Sequence, residues 1–267
     1  MAGLKSGDYV SGLLDFASSL LGHTLGKPID VSSFPITTYE AYDDATPLKA
    51  VHMHLTHLYF LTLKHLPALA KAWWIDCKSR QTTISIESWT EKYISPDVIN
   101  DALKSVSEWA ANPATGGNDE EEQLIVKVAP RVREIIASYE VDEQHMSIMI
   151  RLPPTYPLHN ATVEGINRVA ISEKKWQTWL VITQGVITFS NNNLVDGLVA
   201  WRKNVVGALK GHSECAICYS LVSADKQLPS KRCQTCKNLF HGSCLFKWFK
   251  SSNGSTCPLC RTQFNYA

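Results

Sequence analysis

No cysteine lies between Lys78 and Glu214, so the middle half of the chain has no thiolate on which to carry an acyl group. Neither sign of charge dominates. Twenty-six Lys and Arg face 25 Asp and Glu, a net +1 with His neutral, which removes the whole-chain footprint of a DNA or anionic-membrane binder. No apolar run reaches the ~18 residues of a membrane-spanning helix. The segment Met1-Ala2-Gly3-Leu4-Lys5-Ser6-Gly7-Asp8 also lacks the apolar centre of a secretory signal. The expectation is a cytosolic protein with no membrane and no DNA partner. Fixed-period repeats and low-complexity tracts are missing as well. What remains, 267 residues with 45% hydrophobic and 19% charged, is enough for about two domains with room for a small third.

The periodicity divides the chain. Residues 8–22 repeat apolar side chains at helical spacing and end on Gly22, a C-capping residue. A longer helical stretch covers 48–77 and is expected to break at Pro67. Ser95-Pro96 reads as a cap followed by proline in the first turn of a helix through Val98, Ile99, Leu103, Val106 and Trp109. The polar, acidic segment 112–122 then reads as a solvated loop. Four strands rich in Val and Ile are expected at 124–128, 132–141, 145–152 and 162–169, followed by helices from 173 to about 183 and from 194 to about 210. Strands in succession and then helices predict an α+β layer with the helices on one face of the sheet. An opening on one isolated helix reads as a piece of a longer chain.

Seven of the eight cysteines stand at or after Cys215. Their order is Cys215-x2-Cys218, Cys233-x2-Cys236, His241-x2-Cys244 and Cys257-x2-Cys260. A two-residue spacer aims both thiolates at one ion, at roughly 2.3 Å from each sulfur. Four such pairs predict two zinc ions, and a reducing compartment keeps the thiols available for them. The pairs can combine adjacently or alternately. In the alternate arrangement Cys215, Cys218, His241 and Cys244 hold one ion, and Cys233, Cys236, Cys257 and Cys260 the other. All eight positions are protein ligands, so neither ion keeps an open place for water or substrate, and both are structural. Charge supports double occupancy: residues 211–267 carry +5 with neutral thiols, which seven thiolates and two zinc ions bring to +2.

Four Cys, one His and three Cys is the ligand order of both the RING-CH variant of RING fingers and the PHD finger. The intervening residues separate them. A PHD finger places an aromatic two residues before the seventh ligand, where this chain has Ser255. A RING finger places a helix with a Trp-bearing apolar face after the sixth, matched by Cys244-Leu245-Phe246-Lys247-Trp248. The resemblance to RING fingers implies that Ile217, Trp248, Pro258 and Leu259 contact a ubiquitin-conjugating enzyme. It also implies that Arg261 bridges that enzyme and its ubiquitin. A rigid, exposed apolar patch is physically suited to a partner site.

The resemblance extends further. Residues 214–220, 233–249 and 251–260, together with Trp176-x2-Trp179 and the 194–201 stretch, are similar to the C-terminal region of the listerin family of ribosome-associated ubiquitin ligases. Leu152-Pro153-Pro154-Thr155-Tyr156-Pro157-Leu158 resembles the Tyr-Pro turn of RWD domains, which share the fold of conjugating enzymes; Ala161 stands where a second proline is usual. The implied organisation is a helical segment at 1–94 (the end of a helical-repeat arm), an RWD-like domain at 95–210 and a cross-brace RING at 211–267. The implied activity is RING-type ubiquitin ligation. A ubiquitin-charged conjugating enzyme is recruited, and the modified lysines lie on stalled nascent chains of the large ribosomal subunit. The competing class is a zinc-bearing module that docks on a ribosome or protein without promoting transfer.

Three features stay outside that scheme. Cys77, beside Trp73, Trp74 and Ile75, reads as a packed thiol in place of a transfer nucleophile. His52, His54 and His57 lack a completing acidic or thiol ligand and read as surface or packing histidines. Lys226, Lys231, Arg232 and Lys237 form a basic cluster, either a ribosomal RNA contact or a solvated face.

Overall fold

Period-two alternation in the Val- and Ile-rich middle segment produces a four-stranded antiparallel meander. In the computed structural model, which describes residues 8–39, 47–111, 124–142 and 144–265, the strands are β1 (Leu124–Ala129), β2 (Glu134–Val141), β3 (Gln144–Arg151) and β4 (Thr162–Asn167), in the order β1-β2-β3-β4. Ile135 faces Ile150, Ala137 faces Ile148 and Tyr139 faces Met146 across the β2–β3 ladder, and all six are buried. This register puts these six side chains on one face, with Ile136 and Met149 half-buried on the other. Helices α5 (Ser95–Ala111), α6 (Glu173–Phe189) and α7 (Leu194–Leu209) cover it with Leu103, Val106, Leu180, Leu198, Trp201 and Val205. The α+β layer is as expected. The expected acidic loop at 112–122 lies outside the described residues.

The N-terminal part is helical: α1 (Asp8–Leu20), α2 (Pro47–His65), α3 (Pro67–Asp76) and α4 (Arg80–Tyr93). Pro67 divides α2 from α3 as the missing donor requires. Gly22 turns the chain out of α1 with φ 87°, where an added Cβ would meet the Lys27 carbonyl oxygen at 2.3 Å. The spacing does not predict α4, whose Thr82, Thr83, Ile84 and Ile86 are stiff, β-branched residues. A local cap and tertiary contacts hold it: Ser79 caps Thr82 N–H, Ile86 and Trp89 are buried, and Thr90 shares a buried 2.9 Å hydrogen bond with the Tyr59 hydroxyl. Ser95 is consequently not the cap expected of it. Only Ile94 separates α4 from α5, Val98 N–H bonds to the Ile94 carbonyl, and the Ser95 hydroxyl is buried without a partner among the described residues.

Cys77 is half-buried at the end of α3, its thiol facing the Ser79 carbonyl at 3.7 Å, and is not packed in the core as the sequence suggests. The chain turns to extended geometry there and carries the side chain outward. The histidines behave as packing groups: His54 and His57 bond through Nδ1 to the Ala50 and Ile36 carbonyls.

His23 is 3% exposed, edge-on to Trp89 and bonded to Ser85 Oγ at 3.1 Å. Burial holds its pKa down at about 4. The unfolded chain, titrating near 6.5, binds the proton first, so stability is complete above about pH 6.5 and falls between there and about 4. The loss is expected to approach ~3 kcal/mol. Urea midpoints of His23→Asn and the native chain, compared from pH 7 to 4.5, should converge as the pH falls; parallel curves would show that His23 does not titrate differently on folding.

Candidate metal centre and docking surface

Each Cys-x2-Cys folds into the same knuckle. Cys215, Cys233 and Cys257 accept through their carbonyls from Tyr219, Lys237 and Arg261 N–H, at 2.8, 3.0 and 3.0 Å. Their own N–H groups donate to Ser220, Asn238 and Thr262, at 3.0, 3.0 and 2.8 Å. Tyr219, Lys237 and Arg261 all adopt left-handed geometry, with φ of 59°, 62° and 59°. The remaining pair is different: His241 caps α8 (Gly242–Ser252), and Cys244 lies in its first turn. A two-residue antiparallel ladder, β5 (Lys231–Arg232) with β6 (Leu239–Phe240), sets Cys233 and His241 at its opposite ends. Phe240, Leu245 and Phe264 fill a small core beneath.

The ligand atoms converge into two groups, Cys215, Cys218, His241 and Cys244, and Cys233, Cys236, Cys257 and Cys260, each lying within 4.8 Å of one another. The chain therefore adopts the alternate pairing. Cys233 Sγ lies 3.6 Å from Cys260 Sγ, and Cys236 Sγ 3.7 Å from Cys257 Sγ. A tetrahedron with bonds of roughly 2.3 Å has edges of about 3.8 Å, while a disulfide is about 2.05 Å. The spacing is that of ligands around an ion. His241 Nδ1 points into the first group, 3.4 Å from Cys218 Sγ and 3.8 Å from Cys244 Sγ, while Nε2 faces the Leu221 carbonyl at 3.2 Å. A carbonyl only accepts, so Nε2 holds the proton and Nδ1 keeps its lone pair for metal. Burial, with the neighbouring thiols adding to it, drives Cys244 up to about 12. Burial likewise raises Cys257 to about 12, and the Thr262 hydroxyl and amide bring Cys260 down to about 6. Four crowded sulfurs do not all ionise unaided; a divalent cation removes that obstacle. The donors and their spacing fit two zinc ions.

Around these clusters, Ile217 is half-buried against the small core, Pro258 is half-buried and Leu259 is 49% exposed. Trp248, half-buried, donates from Nε1 to the Thr256 carbonyl at 3.0 Å, which ties its ring to the segment leading into the last knuckle. Arg261 is exposed. The basic cluster divides: Lys226 bonds to Asn167 Oδ1 at 2.8 Å, and Arg232 to the Lys237 carbonyl at 3.1 Å. Spacing gave no sign of the Leu221 carbonyl that sets the His241 tautomer.

Three family models match successive parts of the chain: an LTN1 family HEAT repeat region at residues 1–107, a ubiquitin conjugating domain-like model at 124–207 and a ring finger domain at 213–261. The E3 ubiquitin-protein ligase listerin of Neurospora crassa is 47% identical over 98% of the chain. The chain belongs to the listerin family. The Schizosaccharomyces pombe and Saccharomyces cerevisiae listerins are 36% and 40% identical over 98% and 79% of it. It spans 17%, 16% and 13% of the lengths of these three relatives. In this listerin-family segment the conjugating-domain-like stretch has no cysteine, so the fold is present without the nucleophile of a conjugating enzyme. Among the described residues no helix is long and apolar enough to cross a membrane.

Proposed function

We propose that this segment is the transfer-promoting end of a cytosolic RING-type ubiquitin ligase. It binds a ubiquitin-charged conjugating enzyme and directs the ubiquitin to lysines of stalled nascent chains on the large ribosomal subunit. The observation that carries the reading is the pair of closed four-ligand clusters, which offer rigidity and no reactive position, beside the apolar residues Ile217, Trp248, Pro258 and Leu259. These four make the enzyme contact, and Arg261, placed by the left-handed turn after the final ligand, reaches both enzyme and ubiquitin. Catalysis comes from restricting a flexible thioester to a reactive geometry, with no covalent intermediate on this chain. The division of labour follows boundaries at 94/95 and 210/211, with the middle domain docking and the last one positioning the thioester. The relatives are named E3 ubiquitin-protein ligases, which supports the activity.

Discharge of a charged conjugating enzyme to free lysine tests it. The native chain should accelerate discharge. Ile217→Ala should lose at least about 90% of that acceleration, in line with removing a central apolar anchor worth ~1.5–2 kcal/mol, while still holding two zinc ions. Arg261→Ala should slow discharge with enzyme binding nearly unchanged. No acceleration by the native chain would leave the docking module as the function.

A further inference from the structure

The residue that follows β2 reaches the zinc module. Asp142, in left-handed geometry with φ 47°, directs Oδ2 at two consecutive amides, those of Leu221 and Val222, the latter at 2.8 Å. Both belong to the stretch joining the first and second cysteine pairs. Val222 is buried in the core of the sheet domain, with Leu221 and Leu228 packed against it. Ala170 N–H to the Lys226 carbonyl at 3.0 Å makes a second tie. The stretch thus belongs in sequence to the zinc module and in packing to the sheet.

The peptide group between Leu221 and Val222 is engaged at both ends. Its N–H donates to the Asp142 carboxylate, and its carbonyl accepts from His241 Nε2 at 3.2 Å. A carboxylate on the N–H polarises the amide and makes its oxygen a stronger acceptor, by a cooperative increment of roughly 10–30% per bond. The stronger acceptor holds the proton on Nε2 and leaves Nδ1, aimed at Cys218 and Cys244, as the more basic donor. We infer that Asp142 is a positioning residue for the first zinc site: a carboxylate in the sheet domain that acts through one peptide group on the imidazole of His241, so that retention of that zinc depends on the junction between the domains. Only the first cluster contains a histidine, so the second zinc is independent of Asp142. By linkage, the metal in turn strengthens the junction.

The inference rests on the two-zinc reading and not on ubiquitin transfer. The test uses the full chain with zinc bound, transferring metal to the chromogenic chelator 4-(2-pyridylazo)resorcinol. Cobalt substitution assigns each phase, since three sulfurs with one nitrogen and four sulfurs differ in their d–d bands. Asp142→Ala should release the first ion about tenfold faster, the low end of what loss of an outer hydrogen-bond partner costs, with the second ion unchanged. Asp142→Asn, which keeps an acceptor oxygen without the charge, should fall between. A merely structural loosening predicts that both ions leave faster. In a His241→Cys background, where no tautomer needs setting, Asp142→Ala should have no further effect. A native chain holding fewer than two zincs would sink the metal reading. Two zincs with unaltered or equally accelerated release in Asp142→Ala, or acceleration persisting in His241→Cys, would overturn the role of Asp142.

Discussion

Stripping zinc from the chain is expected to unfold residues 215–220 and 229–265 while the sheet with α5, α6 and α7 stays folded. The zinc module's own buried apolar set is three side chains, Phe240, Leu245 and Phe264, with Cys215, Cys233 and Cys257 completing it. So small a core does not offset the conformational entropy of ordering the module. Each ion contributes on the order of 10 kcal/mol of folding free energy, and without it the half-buried thiol of Cys244 and the buried thiol of Cys257, both pushed to about 12, stay protonated and crowded. The core of the sheet domain, by contrast, contains none of the eight ligands. Amide exchange before and after chelation should show protection lost at the three knuckles and in α8, and kept in β2 and β3. Cys257→Ser should do the same to the second site alone at neutral pH. Acid acts in the same direction as chelator, because protons compete with zinc for the thiolates. Knuckle amides that stay protected at zero zinc would show that the module folds on its apolar contacts, and the metal would then be incidental.

Legibility in the sequence followed the range of the interaction. The cysteine pairs were legible because each knuckle is made by residues six or fewer apart, so spacing alone encodes it. The alternation in Ile135, Ala137, Tyr139 and Val141 was legible because a half-buried strand repeats every two residues. β2 starts at Glu134 and not at 132 because Pro130–Val132 forms a 3-10 turn that ends on a left-handed Arg133. Helix α6 runs on to Phe189, six residues past the expected end. Its final turns contain Gly185, Val186 and Ile187, poor helix formers, and Ile187 is retained by packing against Gly197 of α7, where an added Cβ would stand 2.4 Å from Ile187 Cγ1. Helix α4 is illegible because its partners are more distant still: Thr90 bonds to Tyr59, 31 positions away. Asp142 had no signature at all, since its partners are backbone amides some 80 positions onward, and any residue type supplies those. Contacts of this last kind join the domains, so the junction is the part of the mechanism least visible in the sequence.

Trp201→Ala should be the costliest single change in the sheet domain, at about 3–5 kcal/mol, the range for truncating a large aromatic in a core. The side chain is fully buried on α7, one turn from Leu198 and Val205, which are also at 0% exposure. It belongs to the same buried cluster as Ile148 and Ile150 of β3. Its indole Nε1 is buried without a hydrogen-bond partner among the described residues, and such an orphan donor costs about 1–3 kcal/mol of desolvation. Trp201→Phe therefore loses ring volume but also removes that penalty, and the two terms oppose each other. The expected cost is below about 1.5 kcal/mol, well short of the alanine variant. Urea midpoints at pH 7.5 with zinc saturating would compare the three chains. A Phe variant as unstable as the Ala one would mean that the indole N–H is satisfied, by a buried water or a residue beyond those described, and that the tryptophan is retained for its hydrogen bond and not for its volume alone.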